Sequence, residues 1–90
     1  MEFRVSDELN HEIKKIKKRD KKLYVKIEKQ LFLFKQNNKH PSLRLHKLTG
    51  DQTGIWSMSI DKNMRMLFIV IDDEAHFFDL GTHDEVYRSK

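Results

Sequence analysis

Ninety residues with a formal net charge of +4 and no cysteine make one domain, residues 1–90, with no room for a second core. No disulfide can staple so small a fold, and no apolar run approaches the ~20 residues of a membrane span. The start, Met1-Glu2-Phe3-Arg4-Val5, lacks the regions of a signal peptide, so a soluble cytoplasmic protein is expected.

Phe3 and Val5 alternate with polar neighbours and predict a short opening strand. Ser6 or Asp7 offers an N-cap to a first helix, whose apolar stripe is Leu9, Ile13 and Ile16. Lys17 to Lys22 reads as a polar break, with Asp20 capping a second helix that carries Leu23, Ile27, Leu31 and Phe34. Asn37-Asn38-Lys39-His40-Pro41 stops that helix, since proline cannot continue it. From Leu43 the period changes: Leu43, Leu45 and Lys47 alternate with Arg44, His46 and Leu48, predicting a strand. Thr49 to Gly54 is a loop with two glycines free to take positive φ.

Ile55 to Ile60 then reads as a strand with Trp56, Met58 and Ile60 on one face and Ser57 and Ser59 on the other. Asp61-Lys62-Asn63 turns the chain. Met64 to Ile71 is apolar on both faces beyond Arg65, the mark of a central strand. Asp72-Asp73-Glu74 turns again, and Ala75 to Leu80 is the last strand. The fold class is therefore α+β, a short strand and a helical hairpin packed on a mainly antiparallel, strongly twisted sheet.

Charge is uneven. Residues 1–47 carry 14 lysines and arginines against 6 carboxylates; residues 48–90 carry 4 against 8. A lysine-rich stretch from Lys14 to Lys29 can attract nucleic-acid phosphates by counterion release, or be a solvated helix face, and charge alone does not decide.

Arg65, at the start of a buried strand, needs water or an anionic partner. Its planar guanidinium can grip two phosphate oxygens and stabilise a pentacovalent phosphorus, or it can pair internally with Asp79 or Asp61. His83 can donate a proton to a leaving 5′ oxygen, or close the final turn where Thr82 starts a short helix. Tyr87, at i+4 from His83, shares its helical face or anchors the C-terminal turn. Either His46 or Lys47 could meet a phosphate, but neighbours on a strand point to opposite faces, so only one of the two is expected to. The histidines show no metal-ligand spacing, and no cofactor or metal is expected.

Four segments in order, Lys47-Leu48-x-Gly50, Gly54-Ile55-Trp56-Ser57, Met64-Arg65-Met66-Leu67-Phe68 and Gly81-Thr82-His83-x-x-Val86-Tyr87, resemble the RelE/ParE toxin superfamily. The Trp-Ser and arginine segments are similar to YoeB-like and RelE-like members, and the ending to YafQ-like ones. The resemblance implies a RelE-like microbial RNase fold and the toxin of a type II toxin–antitoxin module, a ribosome-dependent mRNA endoribonuclease in which the 2′-hydroxyl attacks the adjacent phosphate without a metal. It assigns phosphate stabilisation to Arg65, general acid to His83, substrate orientation to Tyr87 and activation of the nucleophile to His46 or Lys47. It also implies a cognate antitoxin in a hetero-oligomer, with the ribosome and mRNA as further partners. Met58, Ser59 and Asp79 stand where active members often carry basic residues. The alternatives are a ParE-like inhibitor of DNA gyrase and a module that binds antitoxin without cutting RNA. Trp56, Phe32 and Phe34 are docking candidates or core.

Overall fold

Ser6 fixes the entry to the first helix. Its Oγ accepts a hydrogen bond from the Leu9 N–H at 3.1 Å, satisfying a donor that the first helical turn leaves open. The computed structural model describes residues 1–48 and 54–88, with Tyr87 and Arg88 by backbone alone. Its elements are β1 (Phe3–Val5), α1 (Asp7–Arg19), α2 (Lys21–Gln36), a 3₁₀ turn (Pro41–Leu43), β2 (His46–Lys47), β3 (Trp56–Ser59), β4 (Met64–Ile71), β5 (Glu74–Thr82) and α3 (His83–Arg88). The loop expected from Thr49 falls, up to Thr53, outside the described residues.

The helical hairpin turns on one residue. The Asp20 N–H donates to the Ile16 carbonyl at the end of α1, and its Oδ1 accepts from the Leu23 N–H at the start of α2. The expected break over Lys17 to Lys22 is therefore confined to Asp20. Lys17, Lys18 and Arg19 stay in the last turn of α1, where cations oppose the negative end of the helix dipole. The second helix stops at Asn37, whose N–H caps the Leu33 carbonyl. Pro41 takes no part in that stop; it opens the 3₁₀ turn, where a missing N–H costs nothing.

The five strands lie in the order β1-β5-β4-β3-β2. β1 runs parallel to β5, and every other pairing is antiparallel. β4 is central, as its apolar sequence predicts, but the expected cover on both faces does not reach its end, where Val70 and Ile71 are exposed. One sheet face carries Trp56, Met58, Met66, Phe68 and Phe77 against the helices. Phe34 of α2 is fully buried there and meets Phe3, Phe68 and Phe77 edge-on at centroid distances of 6.4, 5.3 and 5.3 Å, a geometry that aromatic quadrupoles favour. Of the three docking candidates, Phe34 is thus core, Trp56 is half-buried and stacked on Phe68, and Phe32 is 67% exposed.

The strand expected from Leu43 is a correction. Leu43 is buried inside the 3₁₀ turn, and Arg44 takes a left-handed backbone with φ of +45°, which no strand tolerates. Pairing begins only at His46. The last strand extends past both expected ends, to Glu74 and Thr82. It also contains a bulge: Phe77 faces Phe68 and Asp79 faces Leu67, so Phe78 has no opposite number. Asp72 and Asp73 alone form the β4–β5 turn, with φ of +50° and +65°.

The second sheet face is smaller and polar at one end. α3 lays Val86 on it, completing a cluster with Leu48, Leu67 and Ile55. Beside that cluster lie Ser57, Ser59 and Arg65.

Candidate active site beside the last helix

Register decides which side chains meet on this face. Ser59 and Gly81 flank Arg65, and His46 pairs with Ser57. Directly paired residues share a face, so His46, Ser57 and Arg65 look out together. Lys47 pairs with Trp56 on the opposite face, with its ammonium 5.6 Å from the indole ring centroid, a cation–π contact. The strand thus brings His46 to Arg65 and turns Lys47 away.

Arg65 is held at two points. Its Nε donates to the Oγ of Ser57, a fully buried side chain, and its Nη2 donates to the Arg44 carbonyl at 2.8 Å. Both acceptors are neutral oxygens. Of the ion pairs among the described residues, none involves Arg65, so the internal pairing with Asp79 or Asp61 is not what holds it. Asp79 caps the neighbouring Leu80 N–H, and Asp61 takes the Asn63 and Met64 N–H groups and the Lys26 ammonium. Among the described residues no carboxylate pairs with the guanidinium, which has further N–H groups for an anion.

His46 is hydrogen-bonded to the backbone of Arg44, the same residue that receives Arg65. Burial, then the charge of Arg65, and last that of His83, push its imidazole below the ordinary 6.5, against the opposing effect of the Arg44 bond. The neutral ring is favoured, and a neutral imidazole carries one donor and one acceptor nitrogen.

His83 is the first residue of α3. Its N–H donates to the Asn63 carbonyl at 3.2 Å, and its exposed ring holds Nδ1 3.9 Å from Asp84 Oδ1. A reciprocal cap places it: the Thr82 N–H donates to Glu85 Oε1 at 2.7 Å, while Thr82 Oγ1 accepts from the Glu85 N–H at 3.2 Å. Gly81 makes room for this turn. A Cβ there would lie 2.9 Å from Glu85 Oε1 and 3.2 Å from Glu85 Cβ. Tyr87 lies in α3 four residues beyond His83, and its side chain is outside the described residues. Among the described residues, no three His, Cys, Asp or Glu side chains gather as metal ligands, and no helix is long and apolar enough to cross a membrane.

No protein-family model and no curated protein matches the sequence. Solved structures do match. A YoeB/ParE toxin from Agrobacterium tumefaciens superposes with a TM-score of 0.75 at 18% identity, over 92% of this chain and 99% of that one. This chain has the fold of the RelE/ParE toxin superfamily. The heterotetrameric YoeB–YefM toxin–antitoxin complex from Staphylococcus aureus gives 0.73 at 23% identity, over 92% and 97%. The DinJ–YafQ complex from E. coli gives 0.73 at 18% identity, over 96% and 97%.

Within the RelE/ParE fold, three residues that complete the arrangement escaped the sequence reading. Arg44 acts through its backbone carbonyl, which composition cannot reveal. Ser57 looked like the outer face of a half-exposed strand. Glu85 had a legible signal, since Thr82-x-x-Glu85 is a capping box.

Proposed function

We propose that this chain is the toxin of a toxin–antitoxin pair and cuts mRNA on the ribosome, without a metal. The observation that carries the reading is Arg65, fixed between Ser57 and Arg44 with no ion pair among the described residues, beside an imidazole whose pKa is lowered. In this reading neutral His46 takes the proton of a ribose 2′-hydroxyl as that oxygen attacks the adjacent phosphorus. Arg65 stabilises the extra negative charge of the pentacovalent state. The bond from phosphorus to the 5′ oxygen breaks, and protonated His83 supplies the proton to that oxygen. The products are a 2′,3′-cyclic phosphate and a 5′-hydroxyl, so protons and bonds balance. Tyr87 orients the substrate. Lys47, on the other sheet face, has no step in this scheme.

The partner is a cognate antitoxin. Solved relatives of the same fold occur in complexes with YefM and DinJ, and the lysine-rich helices here suit an acidic segment.

The experiment is cell-free translation with purified protein and mRNA ends mapped by primer extension. Cuts are expected only with translating ribosomes. Arg65→Ala should lower cleavage about 10²–10³-fold, as loss of a transition-state donor does. His83→Ala should lower it by about 10²–10⁴-fold, the usual share of a general acid. Intact mRNA and normal protein output would overturn the reading. A gyrase assay would then separate gyrase inhibition from a module that only binds antitoxin.

A further inference from the structure

A cleft of 460 Å³ opens beside Arg65, between α2 and the turn that joins β3 to β4. Lys26, Lys29, Arg44, Lys62 and Arg65 line it, with Asp61 as the one carboxylate among its lining residues. That carboxylate is already committed. Burial would raise its pKa, but hydrogen bonds from Asn63, Met64 and Lys26 together hold it below 3.8. Its contact with Lys26 Nζ is 3.2 Å. None of the ion pairs among the described residues involves Lys29, Arg44 or Lys62.

The cleft has a built floor. Gln30 is buried, and its Nε2 donates to the Ser59 carbonyl at 2.8 Å and the Ser42 carbonyl at 3.3 Å. One amide thereby ties α2 to β3 and to the 3₁₀ turn. The cations around it come from α2 (Lys26, Lys29), the end of the 3₁₀ turn (Arg44), the β3–β4 turn (Lys62) and β4 (Arg65), which sets this cleft apart from the lysine run of α1. Among the described residues no aromatic ring lines it, so they offer no ring on which a base can stack.

We propose that this cleft is a second phosphate site for the same single-stranded RNA, in which Lys29, Lys62 and Arg44 hold backbone phosphate away from the bond being cut. The inference rests on the function proposed above and adds where the rest of the strand lies. Arg65 lines both the cleft and the cutting site, so one strand passes from one to the other. Because the cleft meets phosphate and not bases, it contributes affinity without sequence preference.

The test is fluorescence anisotropy with 2′-O-methyl oligoribonucleotides, which lack the attacking hydroxyl and stay intact. Two lengths, two and eight nucleotides, are bound to the native chain, to Lys29→Gln with Lys62→Gln, and to Lys29→Arg with Lys62→Arg. Both lysines are exposed, so the fold tolerates the changes. The octamer should bind more tightly than the dinucleotide. Glutamine should lower the slope of log affinity against log salt by about 1.4, the loss of two single-strand phosphate contacts. It should leave the dinucleotide unaffected, and arginine should preserve octamer binding. Equal octamer affinity and slope in the glutamine variant would overturn the proposal. So would an equal loss for both lengths, which would make the lysines part of a general field. Length-dependent, lysine-dependent binding with no mRNA cleavage in the translation reaction would leave the cleft standing and refute the activity. Cleavage with no lysine dependence of binding would do the reverse.

Discussion

The guanidinium of Arg65 and the carbonyl of Arg44 meet at 2.8 Å, and the carbonyl points there because Arg44 is left-handed. The same residue's backbone takes His46. A cationic grip and a candidate base therefore share one anchor, and that anchor depends on a backbone angle.

Two substitutions separate the Arg44 backbone from its side chain. Glycine and valine both delete the guanidinium, but glycine keeps the left-handed turn without penalty, while a β-branched residue resists it. Distortion at the ~1–2 kcal/mol level corresponds to roughly tenfold. Arg44→Val is expected to cut RNA about tenfold more slowly than Arg44→Gly in single-turnover assays. Equal rates would mean the carbonyl does not organise the site.

Ser57→Ala removes one neutral acceptor from a charged donor, an interaction of about 1.5–3 kcal/mol. Cleavage should fall about ten- to a hundredfold with little change in overall secondary structure by circular dichroism. An unchanged rate would show that the Arg44 contact alone positions Arg65.

His46 sets a pH dependence whose sign is fixed. Its folded pKa lies below 6.5, so the unfolded chain binds this proton more readily and stability falls as pH drops below 6.5. Above that value its contribution is complete. Cleavage should show an acidic limb with a midpoint below 6.5, because protonation removes the base. An NMR titration of the ring gives the midpoint directly. His46→Gln should remove both the limb and this part of the acid sensitivity of stability.

Glu85→Gln keeps an acceptor for the Thr82 N–H, and Glu85→Ala does not. The alanine variant should lose about 1 kcal/mol and slow cleavage by displacing His83, whereas glutamine should restore the rate. Chemical denaturation and rate measurements on the pair test this. If glutamine fails to rescue, the carboxylate charge matters and the cap does not.

Asp73 holds φ of +65° in a two-residue hairpin turn that prefers Asp-Gly. Asp73→Gly should stabilise the fold by about 0.5–1 kcal/mol, raising Tm by several degrees, with cleavage unchanged. A lower Tm in calorimetry would show that the carboxylate outweighs the relief of strain.

Periodicity revealed most of the architecture. The stripe of Leu9, Ile13 and Ile16 and the apolar stretch from Met66 to Phe68 are buried as their spacing demands, whereas Val70 and Ile71 at the end of the same run stay exposed. Arg65 stood out because charge at the start of a buried strand needs a reason. His46 and Lys47 could not be separated until the register opposite Ser57 and Trp56 was known, because alternation gives two faces without saying which is which. The segment from Pro41 to Leu45 misled for a related reason: Leu43 and Leu45 keep a strand's spacing, but Arg44 between them breaks the strand. Backbone angle leaves no trace in side-chain polarity.

The parallel pairing of β1 with β5 carries a consequence for synthesis. Phe3 leaves the ribosome well before its register partner Ala75. Arg65 and His83 also emerge after both long helices. A chain interrupted before β5 therefore has neither a paired β1 nor the proposed site assembled. In a protein proposed to attack messages under translation, late closure spares the ribosome that is making it.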